Sequence, residues 1–438
     1  MATVRIEVVE LQLIKARVLH FPRSTGNPEQ EFEYFAAGAL VIDGQKIKAV
    51  GPEEVLSRQF PEAQVIDKRH CLLVPGLIDS HNHFPQTEII ASFGEQLLQW
   101  LENFTFPTEQ KFASYEYARK IADIYLQQLF QNGTTTALAY CTVHPQSVDA
   151  LFDAASEHNM QIVAGKVCMD RNCPEYLRDD ASSAYQDSRD LIEKWHKQGR
   201  NLYAITPRFA PTSTEEQMTL LGQLAAEFPD TFIQSHVSEN TDEIAWIKSL
   251  YPKDKDYLGV YERFGLVRER AVYGHGIHLK KREWKTLAKS GSVIAFCPSS
   301  NLFLGSGLYD MSAAISYRVS TALASDIGGG TSISMLTTQA DGYKVCALNH
   351  YSLQALRGLY LMTQGPASSY RLEHQIGNLN PDTYADFVCF DLDSNELLRT
   401  RLQNGKGHAA DIWFALTFLA GDRCVDSTWV AGIPVFEK

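Results

Sequence analysis

The sequence predicts an α/β protein: a (β/α)8 TIM-like barrel with a small β-sandwich domain built from both termini. Three observations carry that expectation. Through the middle of the chain, eight short apolar runs alternate with charged, helix-periodic stretches. Both ends of the chain instead show strand after strand with turns between them. Residues able to bind metal or move protons finish four of the eight central runs.

The first segment, expected over 1–72, contains "IEVVELQLIKARVLHF", "AAGALVIDGQKIKAVG" and "AQVIDKRHCLLVPG". The same style returns after 374 in "YADFVCFDL" and "STWVAGIPVF", so 375–438 is expected to complete the small β domain. Between them, 73–374 is expected to be the barrel. Its runs are "GLIDSH", "TTTALAY", "IVAGKV", "YAITPRF", "FIQSH", "AVYGH", "SVIAFCP" and "STALASD". Stretches such as "SRDLIEKWHKQ" and "TEEQMTLLGQLAAEF" supply the intervening helices.

Composition narrows the function. The 438 residues are 45% hydrophobic and 21% charged, as in a soluble globular protein, with a net charge of −12. The sequence pI of about 5.6 and the absence of a Lys/Arg cluster argue against a nucleic-acid partner. No apolar run has the length of a membrane span, and the N-terminus lacks a signal peptide's basic-then-apolar order. A cytoplasmic location is expected. The eight cysteines are scattered without a C-x-x-C pair, which speaks against both a zinc ribbon and a disulfide scaffold.

A barrel places its chemistry at the C-terminal ends of the strands. Run 1 ends with His81 and His83, whose i, i+2 spacing aims both imidazoles to one side of a strand. Run 4 ends with Arg208, run 5 with His236, run 6 with His275 and run 8 with Asp326. The chain has only 13 histidines, so their concentration at strand ends favours a metal site over chance. His81, His83, His236 and Asp326 form a nitrogen-rich set that suits zinc, with iron as the rival. Zinc would bring the pKa of a bound water towards neutrality. His275 has two readings, a fifth ligand or a group orienting that water; the second is preferred. Glu239, three residues beyond His236, is either a proton shuttle or a partner in capping the helix that "SENTDEIAWIK" begins.

The strings "PGLIDSHNH", "SHVSEN", "GHGIHL" and "ASDIGGG" resemble the metal-dependent amidohydrolase superfamily in order and spacing. Within it, "GEQLLQWLENFTFPTE", "GKVCMDRN", "ITPRFAPTS" and "CPSSNLFLGSG" look like the guanine deaminase family. The likeness runs from Ile42 to the C-terminus, and its departures, Ser235 and the Gly274-His275-Gly276 triplet, remove no ligand.

The resemblance implies hydrolytic deamination of guanine to xanthine and ammonia, with one zinc per chain on His81, His83, His236 and Asp326. It implies a substrate pocket formed by His83, Phe84, Pro85, Gln86, Arg208, Phe209, His236, Glu239 and Asp326. Glu239, Asp326 and His275 are implied to act in catalysis, the two carboxyl groups shuttling protons around attack at carbon 2. Arg208, a donor only, suits a carbonyl oxygen better than an amine. Phe209 offers either a stacking face or core packing. A homodimer is expected from the family. The rivals are weaker. A dinuclear amidohydrolase acting on a cyclic amide would need a lysine ending run 4, whereas Lys166 sits one run earlier. A barrel without catalysis should have lost ligands. The other zinc deaminase architecture needs H-x-E and P-C-x-x-C, both absent. An aminopurine or triazine substrate remains the alternative.

Overall fold

The structure, a computed structural model, describes residues 11–93, 97–405 and 407–438. Ile6–Glu10 of the first expected strand and Gly94–Gln96 of "GEQLLQW" lie outside the described residues. The chain packs into two units. One holds the residues up to Ile78, Phe130–Thr135 and Gln354–Lys438; the other holds Asp79–Leu129 and Thr136–Leu353.

The expected eight-stranded parallel barrel is present. Its strands, in chain and spatial order, are Leu77–His83, Thr134–Tyr140, Gln161–Gly165, Asn201–Pro207, Phe232–Val237, Ala271–His275, Val293–Phe296 and Ser320–Leu323. Most of their residues are buried, which is why these runs are continuously apolar rather than alternating. Strand 1 meets the end of strand 8 through backbone bonds: Asp326 N–H donates to His81 O at 2.9 Å and His83 N–H to Ile327 O at 2.7 Å.

Asp79 strengthens that seam. Its fully buried carboxylate accepts from Ser325 N–H at 2.9 Å and from the Ser325 hydroxyl. Burial pushes the Asp79 carboxyl up to about 6, and the Ser325 bonds hold it from rising further.

Helices start where the sequence supplies a cap. Asp180 accepts from Ser183 N–H, Thr214 from Gln217 N–H and Asp310 from Ala313 N–H, each satisfying an otherwise orphaned first-turn donor. Close approach sets a different demand at Gly165, which ends strand 3. A Cβ there would lie 1.7 Å from the carbonyl oxygen of Ala204 in strand 4. Gly165→Ala is expected to destabilise the protein by about 1–3 kcal/mol, seen as a lower urea midpoint.

The terminal segments build the expected small β domain as one seven-stranded mixed sheet. Its spatial order is Ile433–Glu437, Val425–Val430, Phe387–Asp391, Gln64–Pro75, Gln12–His20, Glu33–Asp43 and Lys46–Pro52. The last strand, Lys46–Pro52, is tied to the segment that leads into Phe387–Asp391: Ile47 N–H donates to Thr383 O and Ala385 N–H to Gln45 O. Ile14, Leu40, Ile47, Leu73, Phe387 and Trp429 then share one core, so opposite halves of the sheet act as the two layers of the sandwich. Helix Glu53–Gln59 contributes Leu56 to a second, smaller core with Leu13, Ala39 and Val41.

Candidate active site

Strand ends bring the predicted donors together. One ligand atom from each of His81, His83, His236 and Asp326 lies within 4.8 Å of all the others. The closest approaches are His81 Nε2 to Asp326 Oδ1 at 3.2 Å, His83 Nε2 to the same oxygen at 3.4 Å, and His236 Nε2 to His83 Nε2 at 3.3 Å. A tetrahedral shell with metal–nitrogen bonds near 2 Å has edges of about 3.3 Å, so these separations match one cation at the centre.

The protonation chemistry agrees. His236 Nδ1 lies 2.6 Å from the Arg208 carbonyl and donates to it, which turns the Nε2 lone pair inward. His81 Nε2 is buried with no hydrogen-bond partner. Burial, helped by the neighbouring imidazoles, holds His236 well below the usual histidine range; burial also brings His83 down to about 4. Burial raises the Asp326 carboxyl, but the His81 and His83 rings close to it outweigh that and keep the group well below the usual carboxylate range. Neutral imidazoles beside an ionised carboxylate are the form that binds metal, and the residues fit a metal ion.

Two other donor groupings lack this chemistry. His81, His275, Cys297 and Asp326 also converge, but burial holds the Cys297 thiol far above its usual range. In the β domain, His70, Cys71 and Asp426 approach one another, and there Lys68 Nζ already holds Asp426 at 2.6 Å. Lys166, fully buried, is paired with Asp179 at 2.5 Å and is not part of the four-donor cluster.

The loops beyond the strands add the remaining groups. His275 Nε2 sits 3.4 Å from Glu239 Oε2 and 3.8 Å from Asp326 Oδ2, while the Asn301 amide reaches its Nδ1 at 2.9 Å. Glu239 is buried, and its Oε1 accepts from the Ser306 hydroxyl at 3.2 Å. Burial, then the Glu243 and Asp326 carboxylates, push the Glu239 carboxyl well above the usual range. The helix beginning at Thr241 is capped by Asn240, with Glu243 completing the capping box, so the carboxylate of Glu239 is free of that duty. Ser238, His275 and Asp326 take left-handed φ values of 50°, 73° and 51°. Strain of this kind, roughly 1–2 kcal/mol per non-glycine residue, concentrates where side chains must be aimed.

A cleft of about 430 Å³ opens over this cluster, lined by His83, Gln86, Arg208, Phe209, His236, Glu239, His275 and Asp326 together with Trp100, Leu101, Leu304 and Gly329. Phe209 shows an edge to His236, with ring centroids 6.4 Å apart, and packs in a cluster with Trp100, Leu101 and Leu304. Phe209 thus packs in the wall while lining the cleft. Phe84 and Pro85, expected at the pocket, are buried but do not line it. Phe84 opens the 3₁₀ turn Phe84–Ile89 just past the strand and packs on Phe112 and Tyr125.

Sequence reasoning passed over several neighbours. Tyr140, ending strand 2, sets its ring 4.5 Å from His83 and 4.9 Å from both His81 and His236. Trp100 and Leu101 come from an irregular helical stretch. Glu109, in "TFPTE", accepts from Arg208 Nη1 at 2.9 and 2.8 Å and from Gln86 Nε2 at 3.2 Å.

Comparison with known proteins agrees with this geometry. Residues 72–435 match the Amidohydrolase family, and residues 38–63 match an imidazolonepropionase-like composite domain of bacteria. The chain is 45% identical to a guanine deaminase of Escherichia coli (strain K12), over 98% of each sequence. The solved structure of an E. coli guanine deaminase superposes with a TM-score of 0.95, covering 98% of this chain and 100% of that one. A guanine deaminase from C. acetobutylicum, solved with guanine in its active site, has a TM-score of 0.88 at 27% identity, covering 97% of this chain and 100% of that one. The matched stretch spans the barrel and all four clustered donors, and the chain belongs to the Amidohydrolase family.

Proposed function

We propose that this protein hydrolyses guanine to xanthine and ammonia, using one zinc ion held by His81, His83, His236 and Asp326. The observation that carries the reading is one cleft with a hydrolytic donor cluster at one end and hydrogen-bond donors, Arg208 and Gln86, in its wall. Full-length similarity to guanine deaminases supports it. The nitrogen-rich ligand set favours zinc over iron.

Zinc, when bound, supplies Lewis acidity and lowers the pKa of water towards neutrality. The chain's own residues do the rest. Arg208 donates to the carbonyl oxygen on carbon 6, Gln86 donates to a further ring position, and Phe209 covers the purine. Asp326 takes the proton of the water that attacks carbon 2, and Glu239 protonates the adjacent ring nitrogen. The carbon becomes tetrahedral. Asp326 then returns its proton to the amine, carbon 2 expels ammonia, and the hydroxyl left on carbon 2 gives its proton back to Glu239 as the ring regains its conjugation as xanthine. His275, between Glu239 and Asp326, orients the water. No helix among the described residues is long and apolar enough to cross a membrane. A cytoplasmic homodimer is the proposed working form.

The test is ammonia release from a small panel of bases. Guanine is expected to be turned over, with adenine and cytosine at least about 100-fold less efficient, because buried polar groups left unpaired penalise the wrong base. Arg208→Ala should lose guanine activity while keeping metal and fold. Equal activity on adenine, or unchanged guanine kinetics in Arg208→Ala, would overturn the assignment.

A further inference from the structure

We propose that Glu109 is a positioning residue that sets specificity, holding Arg208 and Gln86 as a wall that offers only hydrogen-bond donors to the substrate. The inference rests on the guanine reading for its choice of substrates. Glu109 is fully buried and does not line the cleft, so it acts through its neighbours. Both of its oxygens accept from a single Arg208 nitrogen, Nη1, at 2.9 and 2.8 Å. That fixes the guanidinium from behind. Nε and Nη2 of Arg208 make no bond to another described residue, and Arg208 lines the cleft.

Gln86 is fixed at both ends. Its Nε2 donates to Glu109 Oε1 at 3.2 Å, and its Oε1 accepts from Gly328 N–H at 3.1 Å. A reversed amide would set oxygen against carboxylate and NH₂ against N–H, two like-for-like clashes. The amide therefore keeps its oxygen engaged and its second N–H available. One carboxylate thus makes both wall residues donors and offsets the buried charge of Arg208.

The residue arrives on a distinctive element. Leu97–Trp100 and Phe106–Glu109 are α-helical turns flanking a π-helical turn, Leu101–Thr105. Interruptions of this kind gather at functional sites. The same short segment lines the cleft with Trp100 and Leu101 and places Glu109 behind its wall.

The discriminating pair is guanine and 2,6-diaminopurine, which share the 2-amino group but differ at carbon 6, carbonyl against amine. The metal-loaded wild type should favour guanine by at least about 100-fold in kcat/KM. Glu109→Gln can present either face to Gln86 and no longer balances Arg208. Guanine kcat/KM should fall about 10–100-fold, mostly through KM, and the preference should shrink to below about 10-fold. Glu109→Asp, which keeps the charge, should recover part of the preference. A folded, metal-replete Glu109→Gln enzyme with the wild-type preference would overturn the proposal. If that variant does not fold, a folded, metal-replete Glu109→Ala enzyme with the wild-type preference would do the same. Calorimetric binding of hypoxanthine against adenine gives an answer independent of turnover. Wild-type preference for hypoxanthine, lost in Glu109→Gln, supports the role of Glu109 even if guanine hydrolysis itself fails; its persistence in Glu109→Gln refutes that role.

Discussion

Chelation should bring guanine hydrolysis to the uncatalysed background, and zinc added back should restore it, with elemental analysis giving one metal per active chain. Without a cation, three imidazoles and a carboxylate crowd within 4.8 Å in a buried site. His81 Nε2 has no hydrogen-bond partner there. Burying such groups uncompensated is costly, and a cation removes that cost. Metal removal should therefore lower stability as well as activity. A ligand at 1,000 times its Kd stabilises the folded state by about 4 kcal/mol, so the holo form should melt at a clearly higher temperature. His236→Ala should weaken zinc binding and lose activity together. Two tightly held metals per active chain, or full activity after exhaustive chelation, would refute the mononuclear site.

The four-donor cluster was legible in the sequence because it uses rare residue types at fixed places. Histidines at the ends of strands 1, 5 and 6 and an aspartate after strand 8 stand out in any strand-by-strand reading. Period two did further work. It placed His81 and His83 on one face.

What could not be read was anything joined across long sequence separations. Glu109 and Arg208 are 99 residues apart, and nothing in the string "TFPTE" marks its glutamate as buried against an arginine. Tyr140 is another case. It ends an apolar run and comes to lie against His81, His83 and His236 only because the barrel closes around it. The small β domain shows the same limit. Its strands were evident as runs separated by turns, but their assembly into one sheet depends on pairing across the two termini, as of Gln64–Pro75 with Phe387–Asp391.

Replacing Glu239 by glutamine should lower kcat by roughly 10²–10⁴-fold, the contribution of a positioned proton donor. Glutamine keeps the size of the side chain and an oxygen to accept from Ser306, so geometry is largely preserved. It removes the transferable proton. In the wild type that proton is retained because burial, Glu243 and Asp326 all disfavour the carboxylate. A carboxyl group kept protonated beside the water-binding centre can deliver its proton to a ring nitrogen. Metal content should be unchanged, since Glu239 is not among the four clustered donors. Helix stability should be unchanged too, because Asn240 and Glu243 supply the cap. KM should move little, which separates loss of a proton from loss of binding. A Glu239→Gln enzyme that deaminates guanine at the wild-type rate would show that the buried carboxyl only braces His275 and Ser306, and the proton would then have to reach the ring from Asp326 alone.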